Sequence, residues 1–97
     1  MNDHQKFRFS VTCSTQDYAV VCCLRALCQY AEDHPKRQIG WGGTKESDWR
    51  KNGERVTLRF TSSNNRKRFI NEATRLLNEH WKLVNENDND PARAQRP

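Results

Sequence analysis

The chain has 97 residues, of which 34% are apolar and 30% are charged, and this composition allows one domain with a small core. No apolar run approaches the roughly 18 residues that a membrane-spanning helix needs. The first ten residues lack the apolar stretch of a secretory signal. We therefore expect a cytoplasmic protein, and we exclude large multi-domain enzymes, membrane proteins and collagen-like proteins.

The net charge of +5 is distributed unevenly along the chain. Residues 36–75 have a net charge of +7, whereas residues 1–35 and residues 76–97 each have a net charge of −1. A localised basic region is typical of a protein that binds nucleic acid or an acidic protein surface. A basic surface that only keeps the protein in solution is the alternative, and composition alone does not decide between them.

The first half of the chain predicts a strand, a helix and a second strand. Residues 6–12 alternate apolar and polar side chains, which is typical of a strand with one buried face. Ser14, with Asp17 three residues later, indicates the N-terminus of a helix over residues 16–33. Residues 36–41 then form the second predicted strand.

The second half of the chain predicts a hairpin and a long helix. Asn52-Gly53 is a strong hairpin signal, because a type I′ turn needs positive φ at both central positions. The alternation over residues 56–60 then predicts a third strand. Apolar residues at helical spacing predict a last helix over residues 65–84, and the polar residues 85–97 are expected to form a disordered tail.

These elements predict an α+β fold with the order β-α-β-β-α. We expect a compact domain over residues 1–84, with a three-stranded antiparallel sheet in the spatial order 1-3-2 and both helices on one face. The other face of the sheet would be uncovered, as antiparallel sheets allow. Arg8, Arg55 and Arg59 would lie on that face and make it basic.

Three successive cations stand at the predicted start of the last helix, namely Arg66, Lys67 and Arg68. The positive end of the helix dipole disfavours cations there, whereas helix N-termini bind anions. Our hypothesis is that these residues, together with Arg55 and Arg59, bind an anionic partner. Replacing the three by Ala should then weaken binding and leave the fold intact. The alternative is that their side chains only extend into water.

The glycine-rich stretch over residues 40–43 is a second candidate site. It contains Trp41, and Trp49 follows closely, so that both tryptophans are candidate interface aromatics. The pattern matches neither a phosphate-binding loop nor a dinucleotide-binding motif. A structural β-bulge is the alternative to a binding loop.

We expect no metal, no cofactor and no catalytic residues. The spacing of the cysteines and histidines suits neither a zinc site nor a nucleophilic triad. The cysteines are expected to be reduced, small and buried. They are Cys13, Cys22, Cys23 and Cys28.

In size and in its strand–helix–hairpin–helix layout over residues 6–84, the chain resembles small phage- or prophage-encoded inhibitors of the anti-CRISPR type. The resemblance implies a stoichiometric inhibitor that blocks a defence complex in the bacterial cytoplasm. We therefore expect a non-enzymatic binding protein that docks through its basic surface on a protein or nucleoprotein complex with an anionic patch. A direct RNA- or DNA-binding protein is the first alternative, and a small enzyme with an unrecognised site is the second.

Overall fold

The structure is a computed structural model that describes residues 3–32 and 39–92. This part of the chain forms helices and a three-stranded sheet. In chain order the elements are α1 (Asp3–Lys6), β1 (Phe9–Ser14), α2 (Tyr18–Glu32), a 3-10 turn (Ile39–Trp41), α3 (Glu46–Lys51), β2 (Arg55–Phe60), α4 (Ser63–Leu76) and β3 (Lys82–Asn87).

The sheet is antiparallel, and its strands lie in the order β2-β1-β3. The predicted α+β class with a three-stranded antiparallel sheet is therefore confirmed. The predicted spatial order of strands is wrong, and so is the predicted chain order β-α-β-β-α, because the described residues contain the further short helices α1 and α3 and a strand after α4. The strand over residues 56–60 does lie beside β1, as expected. Residues 39–41 form a 3-10 turn instead of a strand, and residues 36–38 lie outside the described residues. β3 pairs with the other edge of β1, so β1 is the central strand.

The core lies between the sheet and the two longest helices, α2 and α4. Val11 pairs with Leu58 across the sheet, and both are fully buried. Leu24 of α2 and Phe69 of α4 are also fully buried in the same cluster, and the Phe69 ring lies 5.2 Å from the Phe60 ring. Burying a side chain of this size contributes about 1.5–3 kcal/mol, so these contacts hold both helices on one side of the sheet.

The N-terminus of α2 lies later than the sequence predicts. Ser14, the expected cap, is the last residue of β1. Asp17 caps the helix instead, because its Oδ1 accepts a hydrogen bond of 2.9 Å from the backbone N–H of Ala19. The carboxylate thus binds one of the unpaired N–H groups at the helix start.

The hairpin predicted at Asn52-Gly53 is absent, because these residues end the short helix α3. Gly53 has a φ of 70° and Glu54 a φ of 65°. The N–H of Glu54 donates to the carbonyl of Trp49 over 2.8 Å, which closes the helix end. Positive φ at a glycine serves a helix C-terminus as well as a hairpin, so the dipeptide alone does not distinguish the two.

α4 ends at Leu76, and the predicted helix over residues 65–84 is too long. Leu77 and Trp81 still pack against the core, but a turn places them there instead of a further helical stretch. The indole N–H of Trp81 donates to the carbonyl of Ala73 over 3.1 Å. β3 follows, so the tail predicted from residue 85 begins inside a strand.

Gly40 lies where the 3-10 turn packs against β2. A Cβ at this position would lie 2.6 Å from the carbonyl oxygen of Arg59 and 3.3 Å from the sulfur of Cys28. The close approach of the β2 backbone therefore requires glycine here, and the local geometry is a 3-10 turn instead of the predicted alternative of a β-bulge.

We expect Gly40→Ala to lower the free energy of unfolding by about 1–3 kcal/mol, because the added methyl group would push the turn away from β2. Thr74→Ala, at an exposed position of α4, is the control and should change stability by less than about 0.5 kcal/mol. Thermal and urea unfolding followed by circular dichroism measures both. Equal stability of the two variants would contradict the packing described here.

Candidate anion-binding surface

The side of the sheet that faces away from α2 and α4, which we call the open face, is polar. Directly paired antiparallel residues point their side chains to the same side of a sheet, and Val11 and Leu58 point to the helices. The alternate positions therefore form the open face. They are Ser10, Thr12, Ser14, Arg55, Thr57, Arg59, Lys82, Asn85 and Asn87. None of these side chains is a carboxylate, and three are cationic.

A groove of about 380 Å³ lies on the β2 half of the open face. The hydroxyl oxygens of Thr12 and Thr57 lie 3.0 Å apart and line it. Arg55 and Arg59 lie on either side of Thr57 along the strand, about 13 Å apart at the usual rise per residue. The remaining lining residues are Gly42, Gly43, Asn52 and Val56. The groove thus combines hydroxyl groups with two guanidinium groups.

The two arginines of the groove differ in their partners. Arg55 is exposed, and no carboxylate pairs with it among residues 3–32 and 39–92. Arg59 is more enclosed, with a side chain that is 22% exposed and forms an ion pair of 3.2 Å with Asp90. Its Nε also donates to the carbonyl oxygen of Asp90 over 2.8 Å. Arg55 is therefore open to an external anion, while Arg59 already binds one from its own chain.

The three cations at the start of α4 do not act as one group. Arg66 is buried at 8% exposure, and its guanidinium lies 3.1 Å from Glu86 and 2.6 Å from Asp88. Lys67 and Arg68 are exposed. Successive side chains of a helix point about 100° apart, so Arg66 can face the core while the next two side chains face solvent. Residues 63–76 are helical as expected, but the hypothesis of a shared anion site at their start loses Arg66.

Arg66 instead holds the sheet together from the helix side. It donates to the carbonyl oxygen of Ser10 over 3.3 Å and to that of Asn87 over 3.1 Å. One guanidinium group thus joins α4 to both β1 and the end of β3. In the sequence, acidic residues alternate from Glu86 onward, which is the spacing of an extended chain. This pattern could have indicated the partners of Arg66.

The two remaining cationic candidates, Arg8 and Arg68, lie apart from each other on the protein. Arg8 is exposed, and its guanidinium lies 5.1 Å from the centre of the Phe9 ring. Arg68 stacks over Tyr30 at 5.4 Å, on the helix side of the molecule. Arg8 directly precedes β1, whereas Arg68 contacts Tyr30 of α2, and neither lines the groove.

The two candidate aromatics occupy different environments. Trp49 is 5% exposed, and its indole N–H donates to the carbonyl of Thr15 over 2.9 Å, so it belongs to the core. Trp41 is half-buried, with the guanidinium of Arg25 at 4.5 Å from its ring. Its indole nitrogen is buried without a hydrogen-bond partner. Of the stretch around Trp41, only Gly42 and Gly43 line the groove.

The four cysteines are free, and they fall into two classes. Cys13 and Cys28 are buried, and burial raises the pKa of the Cys13 thiol to about 12. Cys22 and Cys23 are exposed, contrary to the expectation that all four are buried. The described residues contain no cluster of His, Cys, Asp and Glu that could bind a metal ion. None of the helices in that part of the chain is long and apolar enough to cross a membrane.

Comparisons with models of protein families, with curated proteins and with solved structures find no match to this chain.

We expect Arg66→Met to lower the free energy of unfolding by about 1.5–3 kcal/mol, since it removes charge-assisted hydrogen bonds from a buried position. Lys67→Met makes the same charge change at the adjacent exposed position and should cost less than about 0.5 kcal/mol. Urea unfolding of the two variants tests this. Similar stabilities would show that Arg66 is not a structural link.

Proposed function

We propose that this chain is a small non-enzymatic binding protein that docks through its open face on the phosphate groups of a nucleoprotein complex. The observation that carries the proposal is the groove, in which Arg55 and Arg59 border a floor of threonine hydroxyls. All these groups donate hydrogen bonds, and phosphate oxygens accept them.

The composition of the open face favours contact with a nucleic-acid backbone over stacking of bases. Sheet surfaces that read single-stranded RNA stack bases on exposed aromatic side chains. The strand positions of the open face hold none, and its donors are of the kind that contact phosphate. We therefore propose recognition that depends on charge and shape and only weakly on base sequence.

The resemblance to anti-CRISPR inhibitors gives this proposal its most specific form. Inhibitors that imitate DNA present acidic surfaces, whereas this chain has a net charge of +5 and a basic sheet face. An inhibitor with this charge would reach the guide RNA or an acidic protein patch of a bacterial defence complex. Direct binding to free RNA or DNA is the alternative function, and the same groove would serve it.

Arg55 provides the test of the groove, because it is exposed and has no structural partner in the part of the chain described. We expect Arg55→Gln to weaken binding of a short labelled single-stranded RNA by about five- to tenfold and to lower the salt dependence by about one counterion. Arg75→Gln makes the same charge change on α4, where Arg75 pairs with Glu72, and is the control. Fluorescence anisotropy over a salt series measures both. An equal loss in the two variants would contradict the groove as the site.

Affinity purification from a bacterial lysate, with and without nuclease, separates docking on a complex from binding of free nucleic acid. If the protein docks on a nucleoprotein complex, defined proteins should copurify, and Arg55→Gln should reduce their recovery. Copurification of nucleic acid alone, lost after nuclease treatment, would support the alternative. Recovery of neither would contradict both functions.

A further inference from the structure

The acidic residues at the end of the described chain contact two arginines, one in α4 and one in β2. Glu86 and Asp88 lie against Arg66, and Asp90 lies against Arg59. The arginine side chains are only 10% and 22% exposed, whereas the three carboxylate side chains are 42%, 74% and 37% exposed. The arginines thus belong to the body of the protein, and the acidic segment lies over them from outside.

Arg66 and Arg59 differ in how the acidic residues that pair with them are held in the fold. Arg66 also binds two backbone carbonyls of the sheet, and Glu86 lies inside β3. Asp90 lies beyond the end of β3, in the stretch over residues 88–92. Two backbone hydrogen bonds attach this stretch to the residues just before β1. The N–H of Asp90 donates to the carbonyl of Arg8 over 2.8 Å, and the N–H of Ala92 donates to the carbonyl of Phe7 over 3.0 Å.

Asp90 satisfies Arg59 in the way that an external oxyanion would. Its carbonyl oxygen accepts from Nε over 2.8 Å, and its carboxylate accepts from Nη2 over 3.2 Å. Two oxygens therefore face two nitrogens on one guanidinium group, which is the arrangement that arginine forms with phosphate. Arg59 also lines the groove. The contact thus occupies one of the two cationic ends of the proposed binding site.

We propose that Asp90 is a built-in competitor, which binds Arg59 in the free protein and must be displaced before a phosphate group can contact both arginines of the groove. This inference rests on the proposed function, because it describes how the same groove is regulated. A partly exposed ion pair is weak, so a polyanion can displace it. Because the competitor is part of the chain, its local concentration is high and independent of protein concentration.

Asp90→Asn tests the competitor directly, since it keeps the shape of the side chain and removes its charge. We expect this variant to bind a short labelled single-stranded RNA about three- to fivefold more tightly than the unchanged protein. Glu72→Gln makes the same change in net charge at the Arg75 ion pair on α4, and it should tighten binding by less than about 1.5-fold through the general field alone.

A second pair of variants locates the effect at Arg59. In a chain that carries Arg59→Gln, the further change Asp90→Asn should give no more gain than Glu72→Gln, because the guanidinium that it releases is gone. Thermal unfolding of each variant confirms that the fold is kept.

The outcomes separate this inference from the proposed function. If Asp90→Asn binds no more tightly than Glu72→Gln while Arg55→Gln still weakens binding, the competitor is overturned and the groove stands. If the gain persists without Arg59, Asp90 acts on another cation and the inference is also wrong. If neither the unchanged protein nor Asp90→Asn binds RNA, the nucleic-acid function and its competitor both fail.

Discussion

The buried guanidinium of Arg66 is the contact on which the arrangement of the sheet depends. It joins α4 to the backbone of β1 and to the end of β3 through two carbonyl oxygens, and two carboxylates neutralise its charge. Every side chain of β3 is exposed, so burial of apolar surface does little to keep this strand at the edge of the sheet. Backbone pairing with β1 and the Arg66 contacts therefore hold β3 in place. They also fix the position of the chain that follows.

This arrangement divides the cations of the protein between internal and external roles. Arg66 satisfies groups inside the molecule, whereas Arg55 faces solvent from the opposite side of the sheet. Arg59 lies between these cases, because it lines the groove and also binds Asp90. A high net positive charge in residues 36–75 therefore does not measure the charge that a partner would meet. Of the cations in that segment, Arg55 faces solvent on the open face, and others such as Lys67 face solvent elsewhere.

The sequence predicts those elements whose pattern has one physical meaning. The alternation of residues 6–12 and of residues 56–60 indicates strands, and strands form over Phe9–Ser14 and Arg55–Phe60 and pair with each other, although Lys6 lies in α1. Asn52-Gly53 is ambiguous, because positive φ suits a hairpin and a helix end alike. The position of Trp81 is also ambiguous. Its spacing from the apolar residues of α4 suits a longer helix, but a turn after α4 brings it to the core. Pairing between strands far apart in the chain leaves no local pattern, so β3 could not be predicted.

The sequence also predicts only part of the candidate site. The open face and its residues Arg55 and Arg59 follow from the alternation along β2, which places them opposite the apolar positions. The cluster at the start of α4 was a poorer guide, because a helix turns successive side chains in different directions. Which cations keep an internal partner depends on where residues 86–90 lie. That position follows from the pairing of β3 and is therefore visible only in the folded chain.

On the proposed function, the contact between Asp90 and Arg59 would link the charge balance of the free protein to its selectivity for a partner. Without it, the cations of the open face would have no carboxylate beside them, because the strand positions of that face hold none. A partner with a single phosphate would bind only one of the two arginines, either Arg55 or, in exchange for Asp90, Arg59. A partner with several phosphates at the right spacing reaches Arg55 at the same time, where it displaces nothing. On the proposed function, the groove would therefore favour extended polyanions over small ones.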